Sequence, residues 1–124
     1  MTMPAIRFLI VDDDEIFSAA LCDWIRHSMP TAELRTARSA TEARRLLDAD
    51  PCDVLVSDVV METDDAGWRL GIEAKRRGIA VLLLSADVRA PWIDDEVRDI
   101  ALVRKTELTA ASFTDFITAV LASR

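Results

Sequence analysis

Four apolar runs punctuate this chain, each ending on a residue that carries chemistry. Ile6-Arg7-Phe8-Leu9-Ile10-Val11 runs into Asp12-Asp13, and Asp53-Val54-Leu55-Val56-Ser57 runs into Asp58. Ile79 to Leu84 runs into Ser85, and Ala101-Leu102-Val103-Arg104 runs into Lys105. Ile6–Val11, broken only by Arg7, reads as a strand covered on both sides, which is the habit of parallel sheets, and Ile79–Ser85, the most apolar stretch, reads as a central strand. A fifth strand, Ala32–Thr36, is short and polar and belongs at an edge.

Helical spacing fills the gaps. Phe17, Leu21, Trp24 and Ile25 recur on one face, with Pro30 beyond the end. Ser39 and Glu42 are spaced as a capping box for a second helix, through Ala43, Leu46 and Leu47 to Pro51. Gly67 lies near the start of a third and Gly78 ends it. Pro91–Ile100 is a weaker fourth, with Ile93, Val97 and Ile100 on one side. Thr109 caps a fifth whose face is Phe113, Phe116, Ile117, Val120 and Leu121. Strand and helix alternate, so the expected fold is α/β, a doubly wound five-stranded parallel sheet with five helices on its two faces. Strand ends in such a sheet open onto one crevice. Three carboxylates, a hydroxyl and an ammonium would meet there.

At 124 residues, 51% hydrophobic and 30% charged, the chain suits one folded domain, 1–124, with no output domain in it. A formal charge of −7 disfavours direct nucleic-acid binding and suits a divalent cation or a basic partner surface. Cys22 and Cys52 have no metal-ligand spacing and read as reduced thiols. The sequence shows no signal peptide and no bilayer-length apolar run, so a cytoplasmic protein is expected.

The acidic pair Asp12-Asp13, Asp58, Ser85 followed by small Ala86, and Lys105 fall in the order and near the spacing of one family. Over essentially its whole length the chain resembles the receiver domain of two-component response regulators. The resemblance implies a flavodoxin-like fold with strand order 2-1-3-4-5. It implies that Asp58 accepts a phosphoryl group from a sensor histidine kinase or a histidine phosphotransfer protein. It also implies Mg²⁺ (or Mn²⁺) held by Asp13, Asp58 and the backbone carbonyl of Val60, with Asp12 acting mostly through a metal-bound water. Lys105 would pair with the phosphoryl oxygens and Ser85 would donate a hydrogen bond to one of them. Such a protein is a phosphoacceptor that promotes its own phosphorylation and dephosphorylation, not an ordinary enzyme. Its output would be a contact with a downstream protein, or a phosphorylation-dependent dimer, through the face formed by the fourth helix, fifth strand and last helix.

Each residue also has a plainer reading. An Asp at a strand end is often a turn or cap residue, a strand-end Ser is often satisfied by backbone, and a lone Lys is usually solvated. Asp14 and Glu15 read as favouring the positive end of the first helix, and His27 as an exposed group near its other end.

Several positions depart from the family. Met61-Glu62 stands where Met-Pro is usual, and Thr63-Asp64-Asp65-Ala66-Gly67 is one residue longer. Thr106 follows the lysine in place of a proline joined by a cis peptide; cis before a non-proline costs about 3 kcal/mol. Leu102 occupies the place of the aromatic switch residue. Asp94-Asp95-Glu96 makes the fourth helix acidic, with Trp92 as a candidate anchor. Val60 and Asp87 sit at the two positions that should govern phosphate lifetime. These departures keep a second class in view, a scaffold that signals without phosphate. The chain could equally be the front part of a longer transcriptional regulator. A haloacid-dehalogenase-type phosphatase ranks low, because Asp58-Val59-Val60 lacks the second Asp. A nucleotide-binding protein ranks lower, because the turn after the first strand is Asp-rich and not Gly-rich.

Overall fold

The computed structural model describes residues 5–86 and 100–123. Five strands form one parallel sheet: β1 (Arg7–Val11), β2 (Glu33–Ala37), β3 (Val54–Asp58), β4 (Ala80–Ser85) and β5 (Ala101–Arg104). Their order is β2-β1-β3-β4-β5, all neighbours parallel, as expected of a flavodoxin-like sheet. The described helices are α1 (Glu15–Ser28), α2 (Ala40–Ala49), α3 (Ala66–Arg76) and α4 (Ala110–Ala122). The expected helix Pro91–Ile100, with Trp92, Asp94-Asp95-Glu96 and the nearby Asp87, lies outside the described residues except for Ile100.

The period of two along each strand divides the core into two layers. Phe8, Ile10, Val54, Val56, Leu82 and Leu84 face α1 and α4, where Leu21, Ile25, Phe113 and Ile117 meet them. Leu9, Val11, Leu55, Val81 and Leu83 face α2 and α3, against Ala43, Leu47, Leu70 and Ala74. The edge strand β2 is polar and is buried only at its last residue, Ala37, while the other edge strand, β5, is half-buried throughout. The central strands β3 and β4 are buried at every position.

Helix ends show where local chemistry set the boundaries. The Asp14 side chain accepts from the Ile16 and Phe17 N–H groups and starts α1. Thr109 and Ser112 form a reciprocal capping box at α4. At α2 the box is incomplete. Ser39 Oγ accepts from Glu42 N–H, but the Glu42 carboxylate reaches past the cap to Arg38 N–H at 3.2 Å. Gly78, at φ +79°, lies just past the end of α3, a conformation that costs a residue with a Cβ about 1 kcal/mol or more. The second strand begins and ends one residue later than its sequence pattern, because Ala32 N–H is spent closing a turn onto Met29 O. Ile79 N–H is likewise spent on Ala74 O, so β4 starts at Ala80. No peptide bond among the described residues is cis, so Lys105–Thr106 is trans.

Candidate functional site

Parallel pairing brings the carboxyl ends of β1, β3, β4 and β5 to one edge of the sheet, and the residues singled out above follow them there. Asp12 comes straight after β1, Asp58 ends β3, Ser85 ends β4, and Lys105 opens a 3-10 turn directly after β5. Asp12, Asp58 and Ser85 are among the few buried polar residues, at 2%, 8% and 8% exposure. Asp13 is exposed beside them.

Lys105 ties the site together. Its Nζ donates to Asp12 Oδ2 at 2.8 Å and to Asp58 Oδ2 at 3.2 Å. The ammonium also sits 4.6 Å from the centre of the Phe17 ring, whose face attracts a cation. Phe17 read from sequence only as part of the apolar face of α1, and nothing in its spacing marked the lysine contact. Asp12 is held further by its own Oδ1, which accepts the Asp14 N–H at 2.9 Å, and by its N–H, which donates to Ala37 O at 3.0 Å.

One carboxylate oxygen each from Asp12, Asp13 and Asp58 lies within 4.8 Å of the other two. Like charges at that spacing repel by roughly 3 kcal/mol per pair at an effective dielectric of 20. One ammonium cannot offset three carboxylates. Burial pushes the Asp58 carboxyl above its usual range; Lys105 opposes this and Asp12 adds to it. Burial also works to lower the Lys105 ammonium, but hydrogen bonding and charge from Asp12 and Asp58 outweigh it and leave the group raised. The donor set is all oxygen, compact and short of positive charge. It fits a hard divalent cation such as Mg²⁺ or Mn²⁺ better than a soft one.

The loop after β3 is fixed more firmly than its composition suggests. Val59 N–H donates to Leu84 O at 3.0 Å, and Gly67 N–H donates to Val59 O at 2.8 Å. The first turn of α3 therefore lies against the Asp58–Val59 backbone. A Cβ at Gly67 would fall 2.6 Å from Val59 Cα and 2.8 Å from the Asp58 carbonyl carbon, and closer still to the Asp58 carbonyl oxygen. Ser57, fully buried, donates its hydroxyl to that same oxygen at 2.9 Å. Val60 stands 50% exposed between these anchors.

Glu62 is a residue whose contacts the sequence did not disclose. Its carboxylate crosses to α2, accepting Ala40 N–H at 2.9 Å and both the N–H and the hydroxyl of Thr41 at 3.0 Å. Burial alone would raise it, but the Ala40 and Thr41 hydrogen bonds bring it down to about 2. Local pattern could not reveal a partner this far away in the chain. The Glu62-for-proline departure was the only signal.

Leu102, in place of a switch aromatic, is half-buried and packs against the core layer shared with α2 and α3. Cys22 and Cys52 are buried free thiols, and burial raises both, Cys52 to about 11. His27 is exposed in the last turn of α1. Among the described residues no helix is long and apolar enough to cross a membrane.

No family model matches this sequence, and no curated protein does. Solved structures do match. A CheY-like response regulator receiver domain protein from Methanospirillum hungatei is similar at TM-score 0.79 and 16% identity, covering 97% of this chain and 96% of that one. A receiver domain protein from Clostridium thermocellum is similar at 0.77 and 20%, covering 95% of each chain. The chemotaxis response regulator CheY4 of Vibrio cholerae is similar at 0.77 and 18%, covering 94% and 99%. The fold is thus that of receiver domains across essentially the whole chain.

Proposed function

We propose that this chain is the receiver domain of a two-component relay. It takes a phosphoryl group onto Asp58 from a histidine kinase or phosphotransfer protein, and a protein–protein contact changes in response. The observation that carries this reading is the Asp58 carboxylate, nearly buried at a strand end, hydrogen-bonded by Lys105 and close enough to Asp12 and Asp13 to share a cation. An Asp58 oxygen attacks phosphorus. The P–N bond of the phosphohistidine breaks as the P–O bond of the acyl phosphate forms, and the imidazole leaves with a proton. Such transfer depends on positioning and charge compensation more than on covalent help.

Each neighbour has a role in this reading. Asp13, Asp58 and the Val60 carbonyl would hold Mg²⁺ (or Mn²⁺), with Asp12 acting mostly through a metal-bound water. That ion supplies the positive charge needed where carboxylates and phosphoryl oxygens meet. Lys105 moves its hydrogen bond from Asp58 to a phosphoryl oxygen while Asp12 keeps it in place. The Ser85 hydroxyl donates to another phosphoryl oxygen. Partner contact falls to β5, α4 and the 91–100 segment. The packed position of Leu102 favours one second reading, a scaffold on the same fold that signals without phosphate.

Intact-mass spectrometry after exposure to a small phosphodonor separates the two. The relay reading expects one Mg²⁺-dependent phosphate, absent from Asp58→Asn. A folded protein that takes no phosphate and binds no beryllofluoride supports the scaffold.

A further inference from the structure

Two loop anchors bracket the Val60 carbonyl. On one side both backbone groups of Val59 are committed, the N–H to Leu84 O and the carbonyl to Gly67 N–H. On the other side Glu62 is bound three times to α2. Between them lie only Val60 and Met61. Met61 N–H closes on Thr63 O at 3.1 Å, and its side chain packs against the core. Ala40 and Thr41 open α2, where backbone N–H groups have no partner within the helix. Ser39 caps only Glu42 N–H, so the first two N–H groups are met by Glu62 from another segment. The negative carboxylate there also suits the positive end of the helix.

We propose that Glu62 is a positioning residue for the metal site. By clamping the acceptor loop to α2 it holds the Val60 carbonyl in place before a cation arrives. The proposal rests on the metal-dependent reading above. A ligand loop that is already ordered binds without a further ordering cost, so the clamp acts on affinity for the ion and not only on stability.

The test is Mg²⁺ titration by calorimetry on the whole chain, at a temperature where circular dichroism shows every variant folded. Amide exchange is followed in parallel. Glu62→Ala should weaken Mg²⁺ binding roughly three- to tenfold, the worth of a charged hydrogen bond or less. Thr41→Val, which keeps the Glu62 charge and removes one of its three bonds, should weaken it about twofold. Glu62→Gln should fall between them. Exchange at Val60 and Met61 should speed in the same order. Should Glu62→Ala not fold, Thr41→Val and Glu62→Gln decide the matter.

Unchanged Mg²⁺ affinity in the folded variants overturns the proposal. So does a loss that high salt abolishes with loop exchange unaltered, since that is a bulk-charge effect. If Asp13→Asn loses Mg²⁺ and Glu62→Ala does not, the clamp falls while the metal-dependent reading stands. A wild-type chain that binds no Mg²⁺ overturns both.

Discussion

Gly67 and Gly71 lie one turn apart on α3, and the same substitution at each should give opposite outcomes. Alanine in a helix interior is ordinarily favoured over glycine by about 1 kcal/mol. At Gly67 the added carbon meets backbone only, 2.6 Å from Val59 Cα where about 3.5 Å or more is comfortable. Neither side can yield by rotating a side chain. The Asp58–Val59 segment is bound to β4 through Val59, and α3 is bound to it through Gly67. Overpacking of this kind costs about 1–3 kcal/mol, and the upper end applies because the Asp58 carbonyl oxygen lies closer still and strand and helix must separate by more than about 1 Å. After the propensity gain, Gly67→Ala should lose about 2 kcal/mol, a fall in Tm of roughly 6–10 °C for a domain of this size. At Gly71 the nearest atoms are side-chain methyls of Val81 and Leu83 at 3.3–3.5 Å. These can shift by a few tenths of an ångström, so Gly71→Ala should stay within about 1 kcal/mol of wild type. Urea denaturation of the three proteins measures the difference. Equal stability of Gly67→Ala and wild type, or a greater loss at Gly71, would refute the close approach of α3 to the Asp58–Val59 backbone.

Three further outcomes follow from the site. Val60→Asn should shorten the life of the phosphoprotein by on the order of tenfold, about one well-placed hydrogen bond to an attacking water; unchanged or slower decay sinks the idea. Added Mg²⁺ should raise the wild-type Tm, by the equivalent of about 2.7 kcal/mol at a hundred times its Kd, and Asp13→Asn should erase the rise. Glu62 is held down to about 2 from an ordinary 4.5, so its contribution is complete above pH 4.5 and lost as pH falls toward 2. Because the side chain is exposed, that contribution is discounted to about 1 kcal/mol, and the stability gap between wild type and Glu62→Gln should close over this window. A gap independent of pH would deny the Glu62 carboxylate its role at α2.

The sheet was legible because burial on both faces writes itself into consecutive apolar residues. Phe8 to Val11, Val54 to Val56 and Leu82 to Leu84 are buried as their runs imply. Parallel order then carried Asp12, Asp58, Ser85 and Lys105 to one end. The contacts that were not legible are those between segments. Glu62 meets Ala40 and Thr41 across the top of one layer, Phe17 lies beneath Lys105, and Gly67 touches the Asp58 backbone. Each depends on how two elements settle against one another, which no local period encodes. The capping box at α2 failed for a related reason. Glu42 has the right spacing for the cap, yet its carboxylate found the Arg38 N–H one residue further back.

The central claim is that Asp58 accepts a phosphoryl group with the help of a divalent cation. Intact mass after treatment with a small phosphodonor, with and without Mg²⁺, tests it most directly. The account predicts a single added phosphate in wild type that needs Mg²⁺ and disappears in Asp58→Asn. A folded wild type that gains no phosphate, or a mutant that gains it equally, would contradict the account.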